Sequence, residues 1–279
     1  MVRVPTTRPV APPRLPSETT PPSPDQVVPD IRTQGAWVQV ITARPHPRLR
    51  LIVFPYAGGG PRMALGWGDF LPRDVEVIAV QLPGRGVRLA EPALDSVVDM
   101  AEGVSTALRD ELLEPYALYG HSLGALVAFE VARRAAWQGD PPPVHLFAGA
   151  CRAPQLPRTT PALHELPESE LLGELANLGG TPAEVLADSD LMAAMLPTLR
   201  ADFRAGETYR YRPGPKLACP ITAIGGSNDH TVSPADLDAW RAQTDAEFRR
   251  VELDGDHFFV DNRRTELLAV LRDELDRPG

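Results

Sequence analysis

Two periodicities alternate along this chain. Leu51-Ile52-Val53-Phe54, Val75-Glu76-Val77-Ile78-Ala79-Val80, Tyr116-Ala117-Leu118-Tyr119, Val144-His145-Leu146-Phe147-Ala148, Ile221-Thr222-Ala223-Ile224 and Phe248 to Leu253 are short, strand-like runs, most of them nearly continuous in apolar residues. Runs of this length read as strands, and uninterrupted apolar character predicts burial on both faces. Between them lie stretches with apolar residues at helical spacing, among them Ser96 to Leu113, Leu123 to Trp137 and a last one from Thr265 to Leu275. The alternation predicts an α/β protein with a mostly parallel sheet covered by helices on both faces.

The alternation fails in one place. About 70 residues separate Ala148 from Ile221, too many for an ordinary connection. Within them Leu163 to Leu178, Ala183 to Leu186 and Ser189 to Phe203 read as short amphipathic helices, with Gly179-Gly180-Thr181-Pro182 between the first two. The span from about residue 152 to 215 is therefore expected to be a helical lid inserted over the sheet edge. Residues 1–34 are of another kind. Nine prolines, from Pro5 to Pro29, interrupt any helix or ladder, and large apolar residues are few. Such a segment cannot repay its ordering entropy, so a disordered N-terminal extension is expected, followed by one domain over 35–279.

Composition narrows the function. A chain of 279 residues, 43% hydrophobic and 23% charged, buries a full core without staples. A formal charge of −9 argues against a nucleic-acid partner. No apolar run approaches the roughly 18 residues of a membrane span, so no membrane partner is expected. Two cysteines, Cys151 and Cys219, exclude a disulfide framework and a Cys-rich metal site, and no metal is expected. The N-terminus has no apolar secretory core, which points to the cytoplasm.

The chemistry lies in a few segments. Gly120-His121-Ser122-Leu123-Gly124 matches G-x-S-x-G and stands between a predicted strand and a predicted helix. That setting pushes a serine out on a sharp elbow at the sheet's C-terminal edge. A serine hydroxyl is a poor nucleophile near pH 7 and needs a base. Of six histidines, His257 follows the last strand-like run, where a loop returns to that edge. His230 competes with it; His121 lies in the elbow, His145 in a strand, His164 in the insertion and His46 before the first central strand. Asp229 follows Ile221 to Ile224 at another strand's C-terminal end and can orient the base. Asp254 and Asp256 read as solvated loop acids. The order Ser122, Asp229, His257 is that of the α/β-hydrolase fold. The Leu123 amide supplies one oxyanion donor, and the loop Phe54-Pro55-Tyr56-Ala57-Gly58-Gly59-Gly60 supplies the other. No Lys-Ser/Thr follows those glycines, so they are not a P-loop.

From about Gly35 onward the chain resembles type II thioesterases, the free-standing α/β-hydrolases that accompany polyketide synthases and nonribosomal peptide synthetases. The resemblance rests on the segments already quoted and on Gln81-Leu82-Pro83-Gly84-Arg85, Gly179-Gly180-Thr181-Pro182 and Leu199-Arg200-Ala201-Asp202-Phe203. It implies hydrolysis of acyl thioesters on the phosphopantetheine arm of acyl or peptidyl carrier proteins, clearing blocked modules in antibiotic biosynthesis. It implies Ser122, Asp229 and His257 as triad, with Ala57 and Leu123 as oxyanion donors. It implies no metal or organic cofactor beyond the phosphopantetheine on the substrate, and a monomer. Synthase-fused releasing domains commonly place their acid after the strand that follows the elbow helix. Here that segment, Phe147-Ala148-Gly149-Ala150-Cys151-Arg152, has no carboxylate. Two departures from the pattern are the Pro-rich N-terminus and Asp256, which stands where Gly is common. Met192, Met195 and Leu196 are expected either to wall an acyl channel or to pack as core. Arg85 and Arg88, or Arg200 and Arg204, either form a basic patch for an acidic carrier protein or pair with acids. The competing readings are an acyl or aminoacyl transferase or cyclase with the same triad, and a non-catalytic module that binds carrier proteins.

Overall fold

The computed structural model describes residues 37–158 and 162–277; the expected extension over 1–34 lies outside them. Strands β1 (Val38–Thr42), β2 (Leu49–Phe54), β3 (Val75–Val80), β4 (Tyr116–His121), β5 (His145–Gly149), β6 (Ile221–Gly226) and β7 (Phe248–Leu253) form one sheet. Their order is β1-β3-β2-β4-β5-β6-β7. β1 runs antiparallel to β3 and every other neighbouring pair is parallel. β3, β4 and β5 are buried at every position, which is why their sequences read as continuous apolar runs. Alternate residues of β2 feed opposite cores. Ile52 and Phe54 face α1 (Val97–Ala107) and α2 (Leu123–Gln138), whereas Leu51 and Val53 join Phe259, Leu267 and Leu271 near the C-terminus.

The insertion between β5 and β6 is helical, as expected, with different breaks. Pro167 ends a single 3-10 turn at Leu163–Glu165, so α3 covers only Glu168–Leu178. α4 is Ala183–Ala187, and α5 continues past Phe203 to span Ser189–Thr208, with Pro197 inside it. Leu171, Leu175, Met192, Leu196 and Leu199 give these helices a small core of their own. The remaining helices are α6 (Pro234–Asp238), α7 (Phe259–Asn262) and α8 (Arg264–Leu275).

The sheet buries a titratable group. His145 of β5 stacks on Phe147 with ring centroids 4.2 Å apart, and its Nε2 lies 2.8 Å from Thr222 Oγ1. Burial, and secondarily the charge of Arg277, lowers its pKa from the usual 6.5 to about 4. Below pH 6.5 the unfolded chain therefore takes up a proton that the folded protein refuses, and stability falls as pH drops toward 4. At pH 5 this costs about 2 kcal/mol relative to pH 7. Urea unfolding at the two pH values should show His145→Gln losing less stability on acidification than the native protein. An equal loss would refute the assignment.

Candidate active site

β4 passes into α2 through Ser122, whose backbone sits at φ 54°, ψ −117°. A non-glycine residue at positive φ is costly and persists only where its surroundings force it. Here its N–H donates to Gly149 O at 2.8 Å, and its carbonyl accepts from Ala125 N–H at 3.0 Å. The flanking glycines are steric necessities: a Cβ on Gly120 would lie 2.3 Å from Gly124 O, and one on Gly124 would lie 2.1 Å from Phe54 O. Leu123 opens α2, so its amide is among those with no intrahelical acceptor.

β6 and β7 are paired through Gly226 and Leu253. Asp229 and His257 follow these two strands, and the pairing brings their loops together. His257 Nδ1 lies 2.8 Å from Asp229 Oδ2, with side-chain exposures of 14% and 0%. Asp229 Oδ1 accepts from Thr231 N–H at 2.8 Å and Thr231 Oγ1–H at 2.7 Å. The same Thr231 Oγ1 is 3.0 Å from His257 Nδ1. An ionised carboxylate only accepts and Thr231 has already used its hydroxyl proton, so Nδ1 carries the hydrogen, which in a neutral imidazole leaves the lone pair on Nε2. Burial pushes the Asp229 pKa up, but the bonds from His257 and Thr231 outweigh it and the carboxyl ends below its usual value.

His121 has a different task from the one its place in the elbow suggests. It is fully buried. Its Nε2 lies 2.7 Å from His257 O and its Nδ1 2.9 Å from Tyr119 Oη. A carbonyl can only accept, so Nε2 carries the hydrogen and Tyr119 donates to Nδ1. Burial, reinforced by His257, lowers its pKa to about 3, which keeps the ring neutral. His121 thus ties the backbone of the His257 loop to β4. Asp256 braces the same loop: its Oδ1 accepts from Phe258 N–H at 2.8 Å and Asn262 Nδ2 at 2.9 Å, so it is more than a solvated acid. Asp254 is exposed, 3.4 Å from Arg263, and His230 is exposed.

Ser122 and His257 line one cavity of about 60 Å³ together with Ala57, Tyr56 and Phe258. The insertion contributes its apolar side through Leu175, Leu178, Leu199 and Phe203. The expected wall residues are elsewhere. Met192 and Leu196 are buried in the insertion's own core and Met195 packs against it; none lines the cavity. The stripe 192, 196, 199, 203 follows one face of α5, and only its C-terminal half reaches Ser122. Continuing the helical pattern one turn further would have found Leu199 and Phe203. The basic-patch reading of Arg85 and Arg88 is also corrected. Both are buried, Arg85 against Asp202 and Arg88 against Glu91, with the Arg88 guanidinium 4.1 Å from the Trp37 ring centre. Arg200 donates to His164 O at 2.9 Å, and Arg204 lies 3.5 Å from Asp95. Among the described residues no group of three or more His, Cys, Asp or Glu side chains is placed to hold a metal, and no helix is long and apolar enough to cross a membrane.

A serine on a strand–helix elbow, with an acid–imidazole pair on the same sheet edge, defines an α/β-hydrolase. The chain belongs to the thioesterase family: the family model for thioesterase domains matches residues 49–275. It is similar to the gramicidin S biosynthesis protein GrsT of Aneurinibacillus migulanus, 41% identical over 228 residues that cover 82% of this chain and 89% of that one. Among solved structures it is similar to the RedJ thioesterase of the prodiginine pathway of Streptomyces coelicolor (TM-score 0.79, 41% identity, 84% and 94% of the two chains). It is also similar to BorB, a type II thioesterase from the borrelidin biosynthetic cluster (TM-score 0.79, 38% identity, 86% and 98%).

Proposed function

We propose that this thioesterase strips acyl groups from the phosphopantetheine thiol of carrier-protein domains in a polyketide or nonribosomal peptide system of the cytoplasm, acting as a monomer. The observation that carries this reading is the hydrogen-bonded Asp229–His257 pair, on the same cavity as Ser122. His257 Nε2 takes the Ser122 hydroxyl proton as Oγ attacks the thioester carbonyl. The developing oxyanion is held by the Ala57 and Leu123 amides. Collapse breaks the C–S bond, and His257 returns the proton to the leaving thiol. Water, deprotonated by the same nitrogen, then attacks the acyl-serine; its release as free acid restores the Ser122 hydroxyl. No step calls on a metal or organic cofactor. The α3 to α5 layer serves as the lid, and its apolar wall selects the acyl group. Support comes from the relatives, whose names place them in gramicidin S biosynthesis, in the borrelidin biosynthetic cluster and in the yersiniabactin NRPS/PKS pathway.

The test is an intact-mass assay of a carrier protein loaded with a panel of acyl groups, alongside matched oxoesters and candidate amine or alcohol acceptors. Free acid and bare carrier are expected, with the thioester outpacing its oxoester. Acyl transfer to an acceptor in preference to water would overturn the hydrolase reading.

A further inference from the structure

An ion pair is sealed beneath the insertion. Arg85 Nη1 lies 2.6 Å from Asp202 Oδ2 and Nη2 lies 2.7 Å from Oδ1, with side-chain exposures of 9% and 0%. The pair does not end in itself. Asp202 Oδ2 also accepts from Gly58 N–H at 2.7 Å, and Arg85 Nη1 lies 3.3 Å from Gly59 O. Both charges thus grip the peptide units that follow Ala57. The α5 helix, which carries Asp202, presses on the same place. Gly58 stands at φ +74°, and a Cβ there would lie 2.5 Å from Leu199 Cδ2. One residue back, Thr198 Oγ1 donates to Gly84 O at 2.6 Å, beside Arg85. Further along, Gly206 comes up to the Leu123 side chain.

Stability alone does not explain this arrangement. Taking two charges out of water costs about as much as their attraction returns, and well-packed apolar substitutes are often as stable or more so. An apolar pair would not fix the direction of the Gly58 N–H, whereas a bidentate carboxylate does. We propose that Arg85 and Asp202 are positioning residues, which hold the 57–59 backbone so that the Ala57 amide faces the tetrahedral oxygen. The inference rests on the assignment of Ala57 as an oxyanion donor. It gives the C-terminal half of α5, beyond Pro197, two tasks, since the half that lines the cavity through Leu199 and Phe203 also braces the 57–59 backbone through Asp202.

The test is the paired replacement R85M/D202V, which removes both charges with only a small change in total volume. It is expected to unfold near the native temperature, to lose about 10- to 100-fold in kcat and to change KM by about twofold or less. Affinity for an alkyl boronic acid, a mimic of the tetrahedral adduct, should fall by the same factor as kcat/KM. If the double variant does not fold, Asp202→Asn decides, because it disturbs the anchor at Gly58 with little change of volume; again kcat should fall with KM held. Native kcat in the folded variant, while Ser122→Ala is dead, would overturn the pair's role alone. Turnover that survives Ser122→Ala would overturn the reading of the site and this inference with it.

Discussion

Ser122→Ala should lower carrier-bound thioester turnover by roughly 10⁴- to 10⁶-fold while leaving the fold intact. The size follows from losing the covalent step: only the oxyanion donors and substrate binding remain to help water attack unaided. The intact fold follows from what holds residue 122. Its anchors are backbone bonds, the N–H to Gly149 O and the carbonyl from Ala125 N–H, and alanine keeps both. The positive φ of 54° taxes alanine as it taxes serine, because both carry a Cβ. Thermal unfolding should therefore shift by only a few degrees. A fluorophosphonate probe should label the native protein and not the variant. Turnover within tenfold of native, on protein shown to be folded, would remove Ser122 from the mechanism.

The parts of this site that were legible in the sequence share a property: each is punctuated locally. Ser122 lies between two glycines at a switch from strand to helix, and Asp229 and His257 each follow a strand that pairs with its neighbour in the parallel sheet. Buried parallel strands read as apolar runs, so the alternation revealed the sheet. β1 escaped because an edge strand of five residues, Val38–Thr42, is half-buried and pairs antiparallel, and so lacks that signature. The cavity wall escaped for another reason. Met192 and Leu199 belong to one helical stripe, and periodicity says that the stripe is buried without saying against what. Arg85 and Asp202 are separated by 117 residues, and nothing local marks either as buried. Thr231 was invisible because its role depends on giving two donors to one carboxylate oxygen of a loop residue two positions earlier. Such contacts are products of the fold and have no local sequence signature.

Asp229→Asn should cost about 10⁴-fold in kcat, although it replaces one oxygen by a nitrogen of nearly the same size. The cause is the tautomer of His257. In the native protein Oδ2 accepts the Nδ1–H at 2.8 Å, while Oδ1 takes both donors of Thr231 at 2.7 and 2.8 Å. Those two donors fix which way the amide of an asparagine must point. Its oxygen stays with Thr231, so its NH₂ takes the place of Oδ2 and faces Nδ1. A donor facing Nδ1 selects the tautomer with the hydrogen on Nε2, and that nitrogen can no longer accept the Ser122 proton. The loss should appear in kcat and in fluorophosphonate labelling together, since both need the serine oxygen deprotonated. Substrate affinity should change little, because Asp229 is not among the residues lining the cavity. The native carboxylate titrates below its usual value, so acid should mimic the substitution only where the buried His121 and His145 have already weakened the fold. Steady-state kinetics at pH 7 with an acylated carrier protein decide the matter. A loss of tenfold or less would mean that Thr231 alone orients the imidazole, and that the carboxylate is not its partner in catalysis.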